Sequence, residues 1–155
     1  MKARSVLLTL ALCLVGAAVS YGAADAFMGT WKLNEAKSKL SPGTPKNNTV
    51  VYEASGDSVK VTVDGTSTDG APTHSEWTGK FDGKAYPVTG DPTEDERIYK
   101  KIDDHTLALT VMKGGKVTTS GRIVVSADGK TRTVTTHGTD AKGMKTSSTA
   151  VYDKQ

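Results

Sequence analysis

The chain of 155 residues reads as an all-β protein: an antiparallel up-and-down meander closed into a barrel. Two observations predict this. Short runs with a period of two recur from Phe27 to Tyr152, and Gly, Asp, Pro and Asn punctuate them at intervals typical of sandwiches and barrels. No amphipathic helical stretch of useful length interrupts them. Short connections favour neighbouring antiparallel strands, and a long meander protects its edges most directly by closing on itself. A two-sheet sandwich is the alternative architecture.

Before the barrel comes a leader. Lys2 and Arg4 precede the apolar run from Val6 to Val19, and small residues follow up to Ala26. This is the pattern of a secretory signal peptide, and the run falls short of the roughly 20 residues of a membrane span. Cleavage before Asp25 divides the chain into a signal peptide, 1–24, and a barrel domain, 25–155; Ala18-Val19-Ser20 is a second candidate site. Cys13 lies inside the apolar run behind Leu12, where a lipidation site needs a small residue. The expected product is secreted or periplasmic, with no stable membrane anchor and no cysteine, which excludes disulfides, thiol nucleophiles and thiolate zinc sites. Losing Lys2 and Arg4 leaves 18 basic residues against 17 acidic ones. The mature chain therefore lacks the basic surplus that nucleic-acid binding requires.

The first strand is expected at Phe27 to Asn34, with Phe27, Gly29, Trp31 and Leu33 on one face. Glu35 to Asn48 is a polar connection in which Pro42, Gly43 and Pro45 permit no more than a turn or two of helix. Asn47-Asn48-Thr49 matches the glycosylation pattern, a short match of little specificity. Thr49 to Ala54 and Val59 to Val63 form the next two strands. Asp64-Gly65 and Asp69-Gly70 then bracket a loop. From His74 to Phe81, Ser75, Trp77, Gly79 and Phe81 oppose His74, Glu76, Thr78 and Lys80, and Asp82-Gly83 reads as a tight hairpin turn. Lys84 to Val88 is brief, and the facing of Arg97 to Ile102 is ambiguous. His105 to Met112, Lys116 to Val125, Thr131 to His137 and Met144 to Tyr152 complete ten candidate strands, each bounded by a turn signal. Large apolar residues are few on the inward face, while Thr, Ser and Gly are many. Either the barrel is narrow and tightly filled, or its interior holds water or a ligand.

Phe27-Met28-Gly29-Thr30-Trp31-Lys32-Leu33 resembles the opening of the calycins, the superfamily of lipocalins and intracellular fatty-acid-binding proteins. Val151-Tyr152-Asp153-Lys154 is similar to the closing segment of the latter. The chain as a whole resembles secreted bacterial lipocalin-like proteins. The resemblance implies a barrel that binds a small hydrophobic or amphipathic molecule in its lumen, with Gly29 and Trp31 closing its floor. It also has departures. Glu35 to Asn48 cannot supply a two-helix lid, Ala150 stands where a carboxylate-holding arginine is expected, and alternation points Arg122 outward.

The candidate ligand residues are Arg132, Tyr152, Trp77 and Phe81. Arg132 shares a face with Val134 and Thr136, and Tyr152 shares one with Thr146, Ser148 and Ala150. If both faces line the lumen, the pair holds an anionic head group through charge-assisted hydrogen bonds. The other reading of Arg132, implied by the lipocalin resemblance, stacks it across Trp31 as a structural cation–π contact. Trp77 and Phe81, with Tyr86 and Tyr99, supply aromatic wall or core. His74 and Glu76 face outward, and His105 and His137 belong to unrelated turns and faces. These positions define no metal site, and no nucleophile elbow, phosphate-binding loop or dinucleotide fingerprint occurs. The expectation is a binding protein with no catalytic residues, metal or cofactor. An envelope protein-interaction or inhibitor barrel is the alternative, its interior plugged by Trp31, Trp77, Phe81, Leu107, Leu109 and Ile123.

Overall fold

The computed structural model describes residues 26–140 and 142–155, so the expected leader lies outside the described residues. Ten strands follow one another around a closed antiparallel barrel, and the last pairs with the first. They are β1 (Gly29–Leu33), β2 (Lys46–Ser55), β3 (Ser58–Thr66), β4 (Pro72–Gly79), β5 (Asp82–Thr89), β6 (Glu96–Asp103), β7 (Thr106–Lys113), β8 (Lys116–Val125), β9 (Thr131–Thr139) and β10 (Lys145–Lys154). The one helical element among the described residues is a 3₁₀ turn, Glu35–Lys37. Asn34 caps it by accepting a hydrogen bond from the Lys37 amide at 3.2 Å. Every neighbouring pair is consecutive in sequence except the closing one, which is what short turns between alternating strands dictate.

The closing seam explains how so short a β1 suffices. Trp31, Lys32 and Leu33 pair with Lys154, Asp153 and Tyr152. Beyond Leu33 the connection itself takes over the free edge of β10. The Asn34 amide donates to the Val151 carbonyl at 2.8 Å, and Lys39 and Thr149 exchange backbone bonds of 2.7 and 2.8 Å. Ser41 then donates its amide to the Ser148 hydroxyl at 3.0 Å. The proline-bearing segment is thus a strap along β10 rather than a helical lid.

Two turn signals sit differently from their sequence expectation. Asp64 and Gly65 lie inside β3, where a side chain at Gly65 would collide with the Lys46 carbonyl, so this glycine permits close approach rather than a turn. Asp82-Gly83 begins β5 instead of turning. Gly83, at φ +81°, occupies a bulge between Asp82 and Ala85, and the corner falls earlier, around Phe81. Phe81 leaves the β4 ladder there and turns its ring toward Phe27, Tyr52, Trp77 and Tyr99, at centroid distances of 5.7–6.4 Å. The β4–β5 seam is correspondingly slight, with Glu76 opposite Thr89 and Trp77 opposite Val88.

The core fills the end of the barrel where β1 begins. Phe27, Trp31, Tyr52, Trp77, Leu107 and Ile123 are fully buried there. Trp31 donates its indole N–H to the Phe27 carbonyl at 2.8 Å, and Trp77 donates to the Arg97 carbonyl at 3.0 Å. Neither ring leaves a polar group unpaired. Tyr99 stands edge-on to Trp77 at 4.8 Å.

Trp31→Ala is expected to cost about 3–5 kcal/mol, the range for deleting a fully buried large aromatic. Equilibrium denaturation measures this, and an unchanged midpoint would remove Trp31 from the floor of the barrel.

Candidate functional site

Alternation decides what the lumen sees. Arg132, in β9, pairs across the sheet with Tyr152 of β10 and with Val125 of β8. Cross-strand partners share a face, so all three point inward, and all three are buried. Above them on the same face stand Val134 and Ala150, then Thr136 and Ser148, each half-buried although inward. The inward side of β9 and β10 is thus reachable from the mouth, while the opposite side is packed with aromatic rings. At the rim the same strands border a cavity of about 510 Å³, lined by Thr119, His137, Gly138, Lys145 and Thr146 among others. A second cavity, of about 530 Å³, lies by the strap and the upper ends of β1 to β3.

At the bottom of that face is Arg132, 4% exposed. Its guanidinium carbon stands 5.1 Å from the Tyr52 ring centroid and 4.8 Å from that of Tyr152. Nη2 donates to the Tyr52 hydroxyl at 2.9 Å. Nε and Nη1 are buried without a hydrogen-bond partner among the described residues, and no carboxylate pairs with the group. Burial pushes the Tyr52 phenol far above its ordinary pKa, with Arg132 opposing and Tyr99 adding to the rise. Burial likewise raises Tyr152, against the pull of Arg132. Both phenols therefore keep their protons at neutral pH and offer O–H donors beside a fixed positive charge.

The expected stacking of Arg132 on Trp31 does not form. Lys154 is the cross-strand partner of Trp31, and its ammonium lies 5.1 Å from the indole centroid. Gly29, at φ +103°, makes the room: a Cβ there would stand 3.1 Å from the Lys154 Cε. Arg132 sits one strand further round and finds tyrosines instead. Trp31 lies in the β1–β10 register with a lysine as its covering cation, and Gly29 pairs with Tyr52 of β2.

Trp77 and Phe81 belong to the aromatic core rather than to an open wall. Trp77 is enclosed by Phe81, Tyr86 and Tyr99. Residues that sequence reasoning passed over complete the buried polar set. Arg97 is 7% exposed and Glu94 6%. Arg97 donates Nε to Glu94 Oε2 at 3.1 Å, makes a second contact from Nη2 to Oε1, and donates Nη1 to the Tyr99 hydroxyl at 3.2 Å. Burial works against the Arg97 charge, but Tyr99 and Glu94 outweigh it and hold the group above its ordinary pKa. The i, i+2 relation of Arg97 to Tyr99 was the available signal. It was obscured because β6 turns its charge inward and leaves Ile102 48% exposed.

The remaining titratable candidates stay apart. His74 donates or accepts at 2.6 Å with Asp64 on the outer face, and Glu76 pairs there with Lys60 at 2.8 Å. His105 lies in the β6–β7 turn, and His137 is exposed on β9. Arg122 is exposed on β8. Among the described residues no group of three or more His, Cys, Asp or Glu is placed to hold a metal ion.

No family model matches the chain, and no curated protein matches it. Among solved structures it is similar to a redesigned β-barrel, mFAP1, bound to DFHBI: 18% identity, TM-score 0.48, covering 85% of this chain and 98% of that one. It is also similar to a de novo designed fluorescence-activating β-barrel, with 15% identity, TM-score 0.42 and coverage of 86% and 97%. What those barrels bind is a property of those designs.

The two buried arginines should respond oppositely to truncation. Arg97→Met strands the Glu94 carboxylate and should cost about 3–5 kcal/mol. Arg132→Met removes a charge with no acidic partner and should leave stability unchanged or raise it by about 1–3 kcal/mol. Paired urea denaturation curves measure both; an equal loss in the two variants would contradict the assignment of Arg132 as uncompensated.

Proposed function

We propose that this chain is a lipocalin-like binding protein, exported by its leader, that holds a small amphipathic anion in its lumen. The single observation that carries the reading is Arg132, which is buried and, among the described residues, is paired with no carboxylate and unpartnered at two of its three nitrogens. A buried charge without a partner is costly, and evolution retains such groups mainly where a ligand or a reaction uses them. A carboxylate or similar head group would supply the missing acceptors, with the Tyr52 and Tyr152 phenols beside it. The apolar part of the ligand would lie along Val134 and Ala150 toward the mouth, in keeping with sites that are mostly apolar around a few polar anchors. The role is binding rather than catalysis.

The alternative is an envelope interaction or inhibitor barrel without a ligand. The dense packing of Trp31, Trp77, Tyr52 and Phe27 favours it, because that half of the lumen leaves no room for a guest.

One experiment separates the two. The full chain, made with its leader, is recovered from the extracytoplasmic fraction of its own cells and weighed by native mass spectrometry. The expected result is a chain starting at Asp25 with a bound small molecule that organic denaturation releases and that Arg132→Met abolishes. A chain that retains its leader contradicts export. A clean apo mass, with a protein partner captured instead, contradicts the ligand reading.

A further inference from the structure

Resting on that reading, we propose that Glu94, Arg97, Tyr99 and Tyr52 set the charge of the anion the lumen accepts. They tune it to a singly charged head group, such as a carboxylate or sulfonate, over a doubly charged phosphate monoester or a neutral alcohol.

A continuous run of buried polar groups crosses the barrel. It starts at Glu94, just before β6, and passes to Arg97 through a two-point ion pair and on to the Tyr99 hydroxyl. Tyr99 packs against Tyr52 at 6.3 Å between ring centroids, and Tyr52 accepts from Arg132. Tyr152 closes the far end beneath the Arg132 guanidinium. Both arginines act electrostatically on the Tyr52 phenol, so the two ends share one field.

Within this run the charges count simply. Two guanidiniums and one carboxylate are more than nine-tenths buried. Every nitrogen of Arg97 is already committed, Nε and Nη2 to Glu94 and Nη1 to Tyr99. Glu94 therefore cancels the charge of Arg97 and, with Tyr99, engages three of its five N–H donors. Arg132 alone remains to be neutralised. Asp95, next to Glu94 in sequence, accepts from the Gly114 amide through Oδ2 at 2.8 Å, while its Oδ1 is buried without a partner among the described residues. A monoanion completes the balance, whereas a dianion would bury an excess negative charge and a neutral head would leave Arg132 uncompensated. The tyrosines contribute the geometry. Tyr99 accepts from Arg97 and Tyr52 from Arg132, and the Tyr152 phenol beside the Arg132 guanidinium adds an O–H donor.

Glu94 and Arg97 are therefore specificity-determining residues that need not touch the ligand, and the test reads selectivity rather than affinity alone. A fluorescent singly charged probe, anilinonaphthalene sulfonate, is displaced from the protein by dodecanoate, dodecyl phosphate or dodecanol. The measurement is made at about pH 8, above the second phosphate pKa of about 6. Dodecanoate is expected to displace the probe at concentrations at least roughly tenfold below those needed for the other two. Glu94→Gln should move the ratio by roughly tenfold or more toward dodecyl phosphate. Adding Arg97→Gln to it should rescue the original order, since the buried charge returns to that of one arginine.

Uptake of dodecanoate with the same selectivity in wild type and Glu94→Gln overturns this proposal and leaves the anion reading standing. If Glu94→Gln does not fold, the double variant decides, and loss of the carboxylate preference there overturns the proposal. Failure of the wild-type protein to take up dodecanoate overturns the reading beneath it as well.

Discussion

A guanidinium enclosed by two phenol rings and met by no carboxylate among the described residues is the constraint around which this barrel is arranged. Arg132 gains cation–π contact on both sides and one hydrogen bond from Nη2 to Tyr52. Those terms are worth a few kcal/mol at most, less than the several kcal/mol that removing an ion from water costs. Arg97, at a similar depth, resolves the same problem in the ordinary way with Glu94 and Tyr99. Among the described residues one buried network thus holds a compensated and an uncompensated arginine, and the proposed function rests on the difference between them.

The rest of the fold supports that difference by being asymmetric. One side of the lumen is a solid of aromatic rings: Trp77, Phe81, Tyr52 and Tyr99 lie within 4.8–6.4 Å of one another. The other side, along β9 and β10, carries small or short residues from Thr146 and Ser148 down to Ala150, and these are half-buried. The solid side fixes the tyrosines. The strap of residues 34–41, hydrogen-bonded along β10, borders the same mouth.

The barrel was legible because its clearest strands carry one buried face. Val59, Val61 and Val63 alternate with polar residues, and the buried Ile123 and Val125 alternate with the exposed Arg122 and Val124, so period and register agree. The same alternation groups Arg132 with Val134 and Tyr152 with Ala150 without deciding whether those faces line the lumen, and the register makes the two residues direct partners. The misplaced details share a physical cause, which is that a tertiary contact overrode a local signal. Gly65 and Asp82-Gly83 carry turn chemistry yet serve a close approach and a bulge. The Trp31 cover is a lysine from the strand that closes the barrel, a pairing that only the closure defines. Glu94 sits in an unpatterned loop, and nothing in its neighbours announces a buried acid.

The most direct test of the central claim is the side-chain ¹H–¹⁵N spectrum of the arginines during titration with dodecanoate. The Arg132 Nε–H, which has no partner among the described residues, should shift strongly as an acceptor arrives, while that of Arg97, held by Glu94, stays in place. Bound dodecanoate with an unmoved Arg132 resonance, or a shift confined to Arg97, would contradict the account.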